Sequence, residues 1–204
     1  MKISMMAGAV VLGLAASAAG AAPRDIDPDW PCQQAKVTSL SVASFWSGPS
    51  VDLSAATWQQ DAPLAALVGI VTQRRLPMDQ AAERISDFAK AAGANKNREL
   101  PELFAGVFDT LDHERAKVLS GLDRFGQRQK VLAADLRQDG EALRAAQAST
   151  SPDEAAVNAL TQRLLWKQQV FQSRQESLRY ACDVPTTIEQ RLYGLSKAIQ
   201  QLLE

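Results

Sequence analysis

The sequence predicts an all-α chain: an elongated helical bundle with a long antiparallel coiled-coil hairpin and an extended N-terminal arm tethered by a disulfide. Three observations carry this reading. First, Phe104, Leu111, Val118, Phe125 and Leu132 recur every seven residues. Phe108, Leu122, Leu136 and Leu143 form a second series offset by four, and together the two make an a/d seam. An unbroken helix over residues 101–147 would be roughly 70 Å long, more than a rounded domain of this size needs. Second, Val157, Leu164, Phe171 and Leu178 repeat the seven-residue spacing after a turn at Ala148, Ser149 and Thr150, so the chain folds back on itself. Third, the chain has two cysteines, Cys32 and Cys182, one in the arm and one in the helical part.

Composition bounds the functional classes. Of 204 residues, 46% are hydrophobic and 22% charged, enough apolar material for a core. Lys and Arg total 22 against 23 Asp and Glu, so no overall field recruits nucleic acid. Lys2 precedes an apolar, Ala-rich run from Met5 to Ala19, and Ala19-Gly20-Ala21 supplies the small residues of a signal-peptidase site. The expected division is therefore a signal peptide over residues 1–21, cut after Ala21, an arm rich in Trp and Pro over 22–60, and a helical domain over 61–204. The hairpin should project at about residues 121–180. The expected location is the periplasm or the exterior, where one Cys32–Cys182 disulfide is the simplest state of an even pair.

The arm is punctuated by Pro23, Pro28, Pro31, Gly48 and Pro49 and has no helical period. It holds Trp30, Trp46 and Trp58, expected to glue it to the helices; an exposed aromatic site for a partner or ligand is the alternative. Asp61 as N-cap with Pro63 in the first turn opens a helix through Leu64, Leu67, Val68 and Val71, apolar on most sides and so expected to be buried. Arg74 and Arg75 lie where they would meet its C-terminal dipole. Pro77 opens a second helix, with Ile85, Phe88 and Ala92 inward and Gly93 at its end. Residues 94–100 read as an exposed polar linker, with Pro101 starting the long helix.

Arg115 and Gln129 at a positions and Asp139 at a d position interrupt the seam, each costly if buried alone. Gly121, Gly126 and Gly140 mark places where the helix bends or is closely approached. Ser151-Pro152-Asp153-Glu154 reads as a capping box with Ser151 as N-cap. Pro185 should break that helix, and Thr186-Thr187-Ile188-Glu189 should start a last one with Ile188, Leu192, Leu195, Ile199 and Leu202 on one stripe.

No constellation supports a named reaction. His113, the one histidine, sits among Asp109, Asp112 and Glu114, a solvated acidic face rather than a metal set. No nucleophile turn, phosphate loop or haem pair is present, so catalytic, metal and cofactor residues are all expected to be none. The remaining candidate is a basic strip: Arg163, Lys167 and Arg174 on one helix, with Arg124 and Arg128 on the facing one. Such a strip suits an anionic partner, or is simply the wet side of a hairpin. The functional expectation is a non-catalytic exported adaptor, assembly factor or accessory subunit that meets another cell-envelope protein through its hairpin. Homodimerisation is compatible with it, nucleic acid is not a partner, and membrane contact is at most peripheral. A module for lipid or another small hydrophobic ligand, walled by the first helix and the tryptophan arm, is the alternative.

Overall fold

A computed structural model describes residues 27–203. The expected signal peptide lies outside these residues. Among them there is no strand; the chain consists of four α-helices and three short 3-10 turns, with an arm that is irregular apart from turns at Val42–Ser44 and Trp58–Gln60. The helices are α1 (Ala62–Val71), α2 (Met78–Ala92), α3 (Lys96–Gln147) and α4 (Glu154–Gln200). At 52 and 47 residues, α3 and α4 are the long members, about 78 and 70 Å by helical rise. They pack antiparallel over their length.

The lower part of that pair, with α1, α2 and the arm, forms a head around one apolar cluster. Leu100, Leu103, Phe104 and Leu111 of α3 meet Ile188, Leu192, Leu195 and Ile199 of α4, all withdrawn from water. α1 adds Leu64, Leu67, Val68 and Val71, and α2 adds Ala81, Ile85 and Ala89. The arm is fastened by aromatics: Trp46 stacks on Phe104 at 4.2 Å between centroids, and Phe45 meets Phe108 edge-on at 6.2 Å. The Trp46 indole also donates to the Pro49 carbonyl at 2.6 Å, so its polar edge is satisfied. Trp58 lies over Gly106 beside Val68; a side chain at Gly106 would collide with both. The close approach of arm, α1 and α3 therefore depends on that glycine.

Several local expectations give way to long-range packing. α4 runs through Pro185 without a break. Proline removes one helical hydrogen bond, but here it is buried between Cys182, fixed by its bridge, and Ile188, fixed in the core, so both flanks are already set in direction. Likewise α3 starts at Lys96, not at Pro101, which lies inside it. Leu100 is fully buried, and its pull into the core turns the expected exposed linker into the first turns of the helix. α4 is capped by Asp153 rather than Ser151: its carboxylate accepts from the amides of Ala155 at 2.9 Å and Ala156 at 3.2 Å. The nearer, charged acceptor outcompetes the hydroxyl.

α1 begins as expected, Asp61 accepting from the Leu64 amide at 3.1 Å. It is not buried on most sides, however; one face is, while Ala66, Gly69 and Ile70 face solvent. Its C-terminal end is met by a residue distant in sequence. Arg191 of α4, buried, donates from Nε to the Val71 carbonyl at 3.0 Å and from Nη1 to the Leu76 carbonyl at 2.9 Å. One guanidinium thus closes α1 and the turn after it, the role expected of Arg74 and Arg75. Arg74 instead pairs with Glu114 of α3 at 3.2 Å.

Candidate interaction surface on the hairpin

The Cys32–Cys182 disulfide is formed, with the α-carbons 5.7 Å apart. Around it residues 27–36 of the arm make a clasp over the root of the hairpin. Trp30 donates to the Gln34 carbonyl, and the Gln34 amide donates to the Cys182 carbonyl on α4. On the α3 side Asp29 accepts from Lys130 at 2.7 Å and Gln127 at 3.1 Å. Lys36 donates to Asp123 at 2.8 Å and Asp27 at 2.6 Å. Lys130 and Lys36 hold the Asp29 and Asp27 carboxyls below the usual carboxylate range, and Asp123 with Asp27 raises the Lys36 ammonium. Gly126 is what lets the clasp lie flat: any side chain there would overlap the carbonyl oxygen of Asp29. Of the three glycines beside the seam, Gly126 is closely approached, while Gly140 is open.

Beyond the clasp the hairpin changes character. Leu132, Leu136 and Leu143 of α3 and Val157, Leu160, Leu164, Phe171 and Leu178 of α4 are all only half-buried. The residues past Gly126 that are buried there are Gln129 and Asp139, both polar. Asp139 is flanked by Lys167 at 2.7 Å and Arg163 at 3.0 Å. Lys167 above all, with Arg163, keeps its carboxyl low against the opposing pull of burial. Lower down, at the edge of the head, Arg115 is 2% exposed and donates to Glu189 at 2.5 Å and to the Val37 carbonyl at 2.6 Å. Arg115 and Asp139 are thus partnered across the seam or by the arm, whereas Gln129 only reaches the Phe171 carbonyl with Nε2 at 3.5 Å, and its Oε1, like Nη1 of Arg115, is buried without a partner among the described residues.

This places the basic strip. Arg163 and Lys167 are turned to Asp139, an internal bond of the hairpin. Arg174, Arg124 and Arg128 are exposed and have no carboxylate in bridging range among the described residues. The strip is thus split between two cations used within the pair and three that face outward.

Two features escaped the reading of the sequence. Trp166 is 65% exposed and Tyr180 79% exposed, both on the face of α4 turned away from α3. Trp166 lies two residues, or about 200°, from the seam residue Leu164, and this angle was the available signal. Between Trp166, Val170 and Arg174 runs a shallow groove that also includes Gln169 and Ser173. At the root, Pro31, Gln34, Leu178, Arg179 and Cys182 border a wider open cleft of about 760 Å³ beside the disulfide. His113 with Asp109, Glu114 and Lys117 lines another shallow cleft. Among the described residues no group of three metal-ligating side chains converges, and no helix is long and apolar enough to cross a membrane. The disulfide points to an oxidising compartment outside the cytoplasm. The chain matches no family model, no curated protein and no solved structure.

Proposed function

We propose that the protein is an exported, non-catalytic interaction protein of the cell envelope, an adaptor, assembly factor or accessory subunit that docks through its hairpin. The observation that carries this reading is the half-buried seam beyond Gly126. Eight apolar side chains there are incompletely covered by the opposite helix, on a limb held at its root by the clasp. A rigid helical pair offers such residues at fixed spacing, so a partner helix docks with little loss of conformational entropy. Arg174, Arg124 and Arg128 add outward positive charge that steers an anionic partner. The alternative, a module for lipid or a small hydrophobic ligand, would use α1 and the tryptophan arm as walls of a pocket. Those walls touch each other, Val68 and Trp58 meeting over Gly106.

The test is site-specific photo-crosslinking in the native envelope, with the crosslinker at positions 128, 132, 143, 160, 165 and 174 and controls on the head at 84 and 197. Adducts to one envelope protein, concentrated on the hairpin, are expected. Adducts confined to the head positions, or to lipid, would overturn the reading.

A further inference from the structure

We infer that the outward face of α4 is a self-association surface, on which a second copy of this chain packs parallel to the first. The face is uncharged over a long stretch. Ala155, Ala159, Gln162, Trp166, Gln169, Ser173, Ser177 and Tyr180 fall on one stripe at spacings of three and four, and all are exposed. It runs about 38 Å along the helix. Its floor is small or amide-bearing, and its two aromatics stand symmetrically, each seven residues from Ser173.

Aromatic area makes the stripe more than a solvated face. With Trp166 65% and Tyr180 79% exposed, two copies could withdraw on the order of 600 Å² from water through these four side chains alone. A specific interface needs roughly 1,000 Å² in total, so Val170 and the glutamines have only the remainder to supply. Trp and Tyr are also the residue types on which interface energy concentrates.

Charge selects the occupant and its direction. Arg174 and Glu176 flank the stripe on opposite sides, about 200° apart, and neither has an opposite charge in bridging range among the described residues. If a second α4 runs parallel about a two-fold axis along the stripe, the flank bearing Arg174 meets the flank bearing the other copy's Glu176. This happens twice. If it runs antiparallel about an axis at Ser173, which pairs Trp166 with Tyr180, Arg174 meets Arg174 and the two Glu176 side chains share the other flank. The same stripe is thus complementary to itself in one orientation and repulsive in the other. Below Val184 the face is no longer free: Met78 sits on Gly194, and Arg191 is engaged by the turn after α1. The contact is therefore confined to the hairpin, with the two heads diverging at the same end.

This inference shares only Arg174 with the docking reading above, which otherwise uses the seam, Arg124 and Arg128; a strictly monomeric chain would leave that reading standing. The experiment is sedimentation equilibrium of the oxidised mature protein over a concentration series, with five variants. The wild type is expected to dimerise reversibly, and Trp166→Ala to weaken the dimer at least about tenfold. Arg174→Glu and Glu176→Arg should each weaken it, and the double swap should restore it. Gln162→Cys should form a symmetric disulfide-linked dimer under mild oxidation, because the parallel arrangement sets position 162 opposite its own copy, whereas an antiparallel pair centred on Ser173 sets it opposite position 184. A wild type that stays monomeric at its solubility limit overturns the inference. So does a dimer indifferent to both charge reversals, or one in which Gln162→Cys fails to cross-link. Circular dichroism of each variant establishes that α4 is intact, as substitution at exposed positions should leave it.

Discussion

At the level of Phe104, Leu111 and Leu122, α3 and α4 meet through apolar side chains removed from water; past Gly126 the same two helices bury Gln129 and Asp139 and leave their leucines half covered. The difference follows from the number of neighbours. In the head, α1, α2 and the arm close the sides of the α3–α4 pair, so each seam residue is surrounded. In the hairpin each helix has one neighbour, and a two-helix seam remains open along both edges. Hydrophobic burial is therefore most complete in the head, whereas the hairpin depends more on what holds its root and on the ion pairs of Asp139 across the seam. The hairpin is the region free to be covered by something else.

The largest way to break this comparison is to cut the root. The bridge links residues 150 apart, and the chain-entropy model gives about 5 kcal/mol for closing a loop of that size. Replacing both Cys32 and Cys182 with Ala should lower stability to urea by about 3–5 kcal/mol. Hydrogen exchange should accelerate first at residues 27–36 and along the hairpin. Thiol labelling of the native protein should reach both cysteines only after reduction; labelling without reductant would remove the bridge from the argument. Gly126→Val should loosen the clasp with the disulfide intact, by displacing the Asp29 carbonyl, and raise exchange at the root.

Core truncation sharpens the contrast between the two regions directly. Phe104 is fully buried and stacked under Trp46, so Phe104→Ala should cost about 3–5 kcal/mol. Leu136 is half-buried, and Leu136→Ala should cost about 1 kcal/mol, less than a buried leucine loses. Equal losses at the two positions would mean that the hairpin is packed as tightly as the head. Between them lies Glu189→Ala, which would leave the buried Arg115 guanidinium without its carboxylate, at about 3 kcal/mol.

The sequence disclosed most of this architecture because its signals were periodic. The seven-residue spacing locates both long helices, and Arg115, Gln129 and Asp139 stand out in it as polar interruptions that need partners. What stayed hidden was decided by contacts distant in sequence. Pro185 and Pro101 carry strong local breaking signals, overridden once Ile188 and Leu100 are drawn into the core. Arg191 closing α1 from 120 positions away leaves no local trace at all. For the candidate surface, the basic strip was legible as a row, but charge spacing on one helix does not reveal which cations an opposite carboxylate will claim. Asp139 claims Arg163 and Lys167, and only the antiparallel register makes that visible.

Acid should separate the two regions, because their shifted carboxyls have opposite signs. Asp139 in the hairpin and Asp27 and Asp29 in the clasp are all held below the ordinary carboxylate range by neighbouring lysines. A carboxyl depressed in the folded state stabilises it above the unfolded pKa, about 3.9, and that contribution fades as pH falls from there through the lower folded value. Asp112, on the head segment of α3, is shifted the other way, raised by burial. An acid raised in this manner disfavours folding once it ionises, so protonation relieves the head while it weakens the hairpin and clasp. Hydrogen exchange compared between neutral pH and about pH 3 should therefore show residues 27–36 and 129–175 losing protection before residues 100–112 and 188–199. Asp139→Asn should flatten this acid response in the hairpin with little effect on the head. Uniform loss of protection in both regions, or a hairpin response unaltered by Asp139→Asn, would show that register is set by the leucines and not by the buried carboxylate.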